Sequence, residues 1–147
     1  METQSQQWIA RAMTRINTQV EKVWDALINP DMISQYMFGA EVESDWKEGS
    51  QIVWRGEWEG RAFEDHGMIT KMIPRKLLEY KHFSGSSGLP EKEENYHTVR
   101  IELKDENPFV IVTLTQDNNG SSEEKDKSEK NWTMMLENLK KMLEKQN

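Results

Sequence analysis

The chain has 147 residues, with 26 Asp plus Glu against 19 Lys plus Arg and a formal charge of −7. That length suits a single domain, residues 1–147, able to bury about two-thirds of its unfolded surface. The acidic balance argues against binding a nucleic-acid backbone, which needs clustered cations, and the absence of cysteine removes disulfides, thiolate zinc sites and thiol nucleophiles.

The first residues, METQSQQWIARAMTR, contain neither an apolar h-region nor a stop-transfer run. A soluble, cytoplasmic protein without membrane insertion is therefore expected. Trp8, Ala10, Ala12, Thr14 and Ile16 alternate with Arg11, Arg15 and Asn17, which predicts a half-buried strand. Thr18 and Glu21 have capping-box spacing, and Val20, Val23, Trp24, Leu27 and Ile28 form the apolar stripe of a helix after them. Pro30 ends that helix and, with Asn29 as N-cap, opens a second short one through Tyr36.

From Glu41 to Gln116 the period changes to two. Glu41–Ser44 reads as a short strand. Gln51–Trp58 is a second, with Ile52, Trp54 and Trp58 opposing Gln51, Arg55 and Glu57. Glu59-Gly60 predicts a tight hairpin. The strand after it runs from Arg61 to Ile73 with a bulge expected at Gly67, and Pro74 closes it. Leu78, Tyr80 and His82 mark one face of the next strand. SGSSGLPEKEEN is a polar loop. His97, Val99, Ile101 and Leu103, then Val110, Val112 and Leu114, mark the inner faces of two more strands.

The last segment opens on a second capping box, Ser121 with Glu124, and neither glycine nor proline interrupts the chain after it. Trp132, Met135, Leu136, Leu139, Met142 and Leu143 fall on one stripe of a helix roughly 35 Å long. Residues 123–131 lack that stripe and are expected to overhang in water. Each strand has one polar face, so the sheet is covered on one side, by this helix. The predicted fold is α+β: a curved antiparallel β-sheet wrapped around a long C-terminal helix, with two short helices after the first strand.

Six stretches carry a resemblance: TQVEKVWDALINPDMISQYMFG, DWKEGSQIVWRGEWEGRAFEDHGMI, PRKLLEY, ENYHTVRIEL, VTLTQDNN and EKNWTMMLENLKKMLEK. In order and content they resemble the SRPBCC superfamily (START-like, birch-pollen-allergen-like). Within it they are similar to the branch named for activators of the ninety-kilodalton heat-shock protein's ATPase. The resemblance implies a helix-grip fold with a cavity between the sheet's concave face and the long helix, closed at one end by the short helix pair. Lipid carriers, polyketide cyclases, hydrolases and co-chaperone domains share that fold, so function must come from the site.

Alternation and helix phase nominate Tyr36 and Phe38, then Trp54 and Trp58, then Tyr80, His82 and His97, and on the helix Trp132, Met135 and Leu139 as ligand-binding residues. An apolar space with a few polar tips suits a flat or lipid-like ligand; the competing reading is that these side chains fill an ordinary core. No metal is expected, because His66, His82 and His97 have no ligand spacing and HExxH is absent. No cofactor is expected: GSSGL is not a nucleophile elbow, and Gly56 and Gly60 are not followed by the Lys-Ser/Thr of a phosphate loop. No catalytic residue is nominated. Glu57, Glu64 and Asp65 would become general-base candidates only if one pointed inward.

The function predicted is non-enzymatic binding of a small hydrophobic molecule. A chaperone-activator-like interaction module is the first alternative, ranked second because no counterpart of those activators' separate N-terminal domain is read here. A cyclase- or hydrolase-like enzyme using a His–carboxylate pair is the next. Oligomeric state is not readable from the sequence.

Overall fold

The computed structural model describes residues 8–146. Its elements are β1 (Ala10–Ile16), α1 (Val20–Ile28), α2 (Pro30–Tyr36), β2 (Glu41–Ser44), β3 (Gln51–Trp58), β4 (Arg61–Ile73), β5 (Leu77–Phe83), β6 (His97–Glu106), β7 (Phe109–Gln116) and α3 (Ser122–Lys145). The strands form one antiparallel sheet in the order β1-β7-β6-β5-β4-β3-β2. Together with α3 this is the α+β, helix-grip arrangement that the sequence pattern predicts.

Alternation sets the faces. Ala10, Ala12, Thr14 and Ile16 of β1 and Val110, Val112, Leu114 and Gln116 of β7 are buried. From α3, Met135, Leu136, Leu139 and Leu143 complete the core, with Trp132 and Met142 packed at its margin. Between β3 and β4, Glu59 and Gly60 both take positive φ, 52° and 82°, which is the backbone a two-residue hairpin needs.

Three local expectations are corrected. Thr18 does not cap α1: the N-cap is Gln19, without a side-chain bond, and Thr18 is buried with its hydroxyl unpartnered among the described residues. The helix starts one residue too late for the Thr18–Glu21 spacing to close a capping box. The bulge lies at Thr70, where register shifts between Ile69 and Lys71, rather than at Gly67. Thr70 Oγ1 sits 2.9 Å from Glu79 Oε1 on the partner strand, which gives the extra residue an anchor. Finally, the exposed start of α3 is shorter than expected: residues 122–127 are mostly exposed, but the helix is tied down from Ser128. Ser128 Oγ donates to the buried Asn119 Oδ1 at 3.0 Å, and Glu129 Oε2 accepts from the Arg11 backbone N–H at 3.0 Å.

The second of those contacts belongs to a series along the outer edge of β1. Farther down α3, Glu144 Oε2 accepts the Asn17 N–H at 2.9 Å, and Lys140 Nζ donates to the Arg15 carbonyl at 2.7 Å. An edge strand exposes unpaired backbone groups that invite another chain. Here charged helix side chains satisfy some of them. The Asn17 N–H and the Lys140 ammonium hold the Glu144 carboxyl below its usual range.

Of the other capping expectations, Asn29 does cap α2, accepting the Asp31 N–H at 3.0 Å. Ser121 caps α3, accepting the Glu124 N–H at 3.1 Å, while Glu124 Oε1 reaches back to the Gly120 N–H at 2.8 Å.

Candidate functional site

Between the sheet and α3 lies a cleft of about 470 Å³. Trp54 from β3 and Tyr80 from β5 form its floor, with ring centroids 5.1 Å apart, and both are buried. Helix phase brings Ser128, Asn131, Trp132 and Met135 of α3 onto the facing wall. Trp132 Nε1 donates to Gln116 Oε1 at the end of β7, which fixes the indole. The rim is Phe38 and Trp58, packed edge to face with centroids 5.2 Å apart and each 43% exposed.

Phe38 reaches that position through an unusual backbone. It follows the C-cap of α2 with φ of 56°, where glycine is the common choice. A bulky side chain in this region costs about 1–2 kcal/mol. The strain places an aromatic ring at the mouth of the cleft.

Of the nominated residues, Phe38, Trp54, Trp58, Tyr80, His82, Trp132 and Met135 line this one space. Three do not reach it. Tyr36 is buried, its hydroxyl donating to the Ala26 carbonyl at 2.8 Å and so tying α2 to α1; burial pushes this phenol far up from its ordinary value. Leu139 is wholly in the core, one helical turn past Met135. His97 turns to the loop after β7, with Nδ1 2.8 Å from the Asp117 carbonyl. Phe38 and Trp58 are half-open rim groups rather than the inward-facing walls expected of them.

Polar groups in the cleft are few and specific. Tyr80 is buried on the cleft floor, and burial pushes its phenol pKa up. His82 Nε2 lies 2.9 Å from Asp65 Oδ2, and Asp65 Oδ1 accepts the Gly85 N–H at 3.1 Å. A carboxylate only accepts, so in the neutral ring Nε2 carries the proton and Nδ1 is left as an acceptor. Nδ1 is buried without a partner among the described residues. The His82 ring stands edge-on to Trp54 at 4.9 Å and is cross-strand from His97, 6.4 Å away.

This His–carboxylate pair is the constellation that the sequence left open. Chemically it can orient a ligand or accept a proton. Among the described residues no three metal-ligating side chains cluster. A second hollow, of about 670 Å³, is bounded by Val20, Pro74, Leu77, Leu103 and Ile111; no aromatic ring lines it, and none of the nominated residues does.

The loop between β5 and β6 contributes Ser84 and Ser86 to the cleft. Its far end is held by His66 of β4, whose Nε2 lies 2.8 Å from Glu64 Oε2 and whose Nδ1 lies 3.3 Å from Glu91 Oε1. Glu91 in turn accepts from the Tyr96 hydroxyl at 2.7 Å, and Glu64 is also bonded by Arg55, which reaches Glu43 as well. Both imidazole nitrogens face acceptors, and only the protonated ring can donate to both. The Glu64 bond, with that of Glu91 behind it, holds the His66 pKa above its ordinary 6.5.

A raised folded value means that the clamp is complete below pH 6.5 and fades as pH rises through the folded pKa. His66, Glu64 and Glu91 are each about half exposed, so water screens the pair and the effect on global stability should be small. In an NMR titration His66 is expected to show a midpoint above 6.5, with the Glu91 and Tyr96 amides moving in the same transition. A midpoint at or below 6.5, or amides that stay still, would refute the clamp.

Among the described residues no helix is long and apolar enough to cross a membrane. The family described as "Activator of Hsp90 ATPase homolog 1-like protein" matches residues 17–144. A protein from Cytophaga hutchinsonii with a known solution structure is 54% identical, with 94% of each chain covered and a TM-score of 0.82. The Aha1 dimer from Colwellia psychrerythraea is 20% identical, covering 92% of this chain and 96% of that one, at a TM-score of 0.73. A Mesorhizobium loti protein is 15% identical, covering 95% and 98%, at 0.78. The last two likenesses concern the fold. None of the curated proteins matches the sequence. The match over residues 17–144 embraces both short helices, strands β2 to β7 and nearly all of α3, and the chain belongs to the Activator of Hsp90 ATPase homolog 1-like family, a branch of the SRPBCC superfamily.

Proposed function

We propose that the chain binds a small, flat, hydrophobic molecule without chemistry, in the cleft between the sheet and α3. The observation that carries this reading is an aromatic-walled space of about 470 Å³ with the buried Trp54 and Tyr80 rings on its floor. The volume falls in the range of about 300–1,000 Å³ usual for small-molecule sites. Trp54 and Trp132 would supply stacking area, and the Phe38–Trp58 rim would close over the ligand's outer edge.

Phe38→Gly separates the site from the fold. Glycine relieves the left-handed backbone, while the lost ring contact with Trp58 removes about 0.5–1.5 kcal/mol, so the two roughly cancel. Stability should therefore change by no more than about 1 kcal/mol, while affinity for a neutral naphthalene-sized alcohol, read by tryptophan emission and amide shifts near Trp54 and Tyr80, should fall severalfold. If no compound of a diverse apolar set shifts those amides in the parent chain, the reading is wrong. Family membership supports a second reading, a chaperone-facing interaction module; a silent cleft together with stimulated ATP turnover of the chaperone would put that reading first.

A further inference from the structure

The cleft's aromatic walls are shared by many apolar sites, but its charges are not neutral. Of the ionisable side chains that line it, Glu57, Glu59 and Asp65 are acids and Arg61 is the one base besides His82. Glu59 in the β3–β4 hairpin and Glu57, on the strand face opposite Trp58, border the mouth and make no ion pair among the described residues, and Arg61 is paired across from Trp58 at the same end. Asp65, deeper in, is bonded by an imidazole and a backbone N–H rather than by a lysine or arginine. These carboxylates flank Phe38, Trp54, Trp58, Phe63, Tyr80 and Trp132, six aromatic rings around one space. Ring faces are electron-rich and attract cations, most strongly where water is excluded. The Tyr80 oxygen can accept a hydrogen bond from an ammonium.

We infer that the cleft is selective for an organic cation: a protonated amine on a flat apolar body. This rests on the binding role proposed above and narrows it. A fatty-acid-like anion would meet Glu57 and Glu59 against the single Arg61 at the entrance and Asp65 inside, so it is the class the site disfavours. The chain's net charge of −7 acts in the same direction, drawing cations toward the mouth.

The test is a matched set with one ring system: naphthylmethylamine, naphthylmethanol and naphthoate, titrated at pH 7 and low salt. The amine should bind about tenfold more tightly than the alcohol, equivalent to about 1.4 kcal/mol, and naphthoate more weakly than either. Added salt should erode the amine's advantage and leave the alcohol unaffected. The double variant Glu57→Gln with Glu59→Gln, both exposed and remote from the core, should shrink the amine's preference without changing alcohol affinity, whereas Arg61→Gln should enlarge it. Equal affinity of amine and alcohol, or naphthoate binding as tightly as the amine, would overturn the cation preference while leaving apolar binding intact. Failure of all three to bind would remove both.

Discussion

Leu139→Ala is expected to cost about 2–5 kcal/mol of stability, the usual penalty for truncating a buried leucine. Leu139 is fully buried on the stripe that α3 lays across the sheet, between Met135 and Leu143, themselves buried. The helix is anchored at both ends, through Glu129 to Arg11 and Glu144 to Asn17, so it cannot easily slide to collapse the void. Restricted relaxation raises the cost of a cavity toward the upper part of that range. Chemical denaturation should show a lower midpoint with an unchanged slope. Met134, 42% exposed on the same helix, is the control, and its replacement by Ala should stay within about 0.5 kcal/mol. Leu139 does not line the cleft, so ligand affinity in the folded variant should match the parent. An unchanged midpoint would mean that the stripe is not the core.

Legibility in the sequence depends on period. Val110, Val112 and Leu114 alternate without interruption, and all are wholly buried. The steps of three and four from Trp132 to Leu143 place α3 in the same way. Side chains whose role depends on a partner far along the chain carry no such signal. Glu129, Lys140 and Glu144 look like a solvated helix face, yet they reach the backbone of β1 more than a hundred residues away. Ser128 and Asn131 read as solvated because they are polar, although they share the helical face of Trp132 and Met135 and extend it into the cleft.

The His82–Asp65 pair is hidden for a related reason. The two residues lie on neighbouring strands, and their meeting depends on the β4–β5 register, in which Gly67 faces His82. A bulge shifts every pairing beyond it. With the bulge expected at Gly67 instead of Thr70, that register is undetermined, even though Asp65 is a candidate base by its residue type. The Thr18–Glu21 spacing misleads in the opposite sense. It satisfies a local rule, but the helix boundary is set by where Val20, Val23 and Trp24 must turn inward, and that places the cap at Gln19.

Gly67 itself carries the other large effect. Its φ is not in the left-handed region, so conformational freedom is not the reason for glycine here. Close approach is. A Cβ on residue 67 would collide with the Lys81 carbonyl oxygen and come within 3.2 Å of Trp54 Cη2. The first obstacle is backbone, part of the β4–β5 ladder, and cannot swing aside as a side chain would. The second is the indole that floors the cleft. Gly67→Ala should therefore cost at or above the upper end of the roughly 1–3 kcal/mol that overpacking ordinarily takes, because a strand has to move. The displaced strand is β5, which carries Tyr80 and His82, so the Asp65–His82 contact should be lost along with stability. In denaturant the variant should unfold early, and at low denaturant its Tyr80 and His82 resonances should move more than those of α3. Gly56→Ala is the comparison: its Cβ would press on the Phe63 ring at 3.1 Å, a side chain that can tilt, and meet the Ala40 backbone at an ordinary 3.5 Å, so its cost should be smaller. If Gly67→Ala is as stable as Gly56→Ala, with the His82 resonances unmoved, then β5 is not pressed against β4 at this point and the floor of the cleft is looser than its geometry indicates.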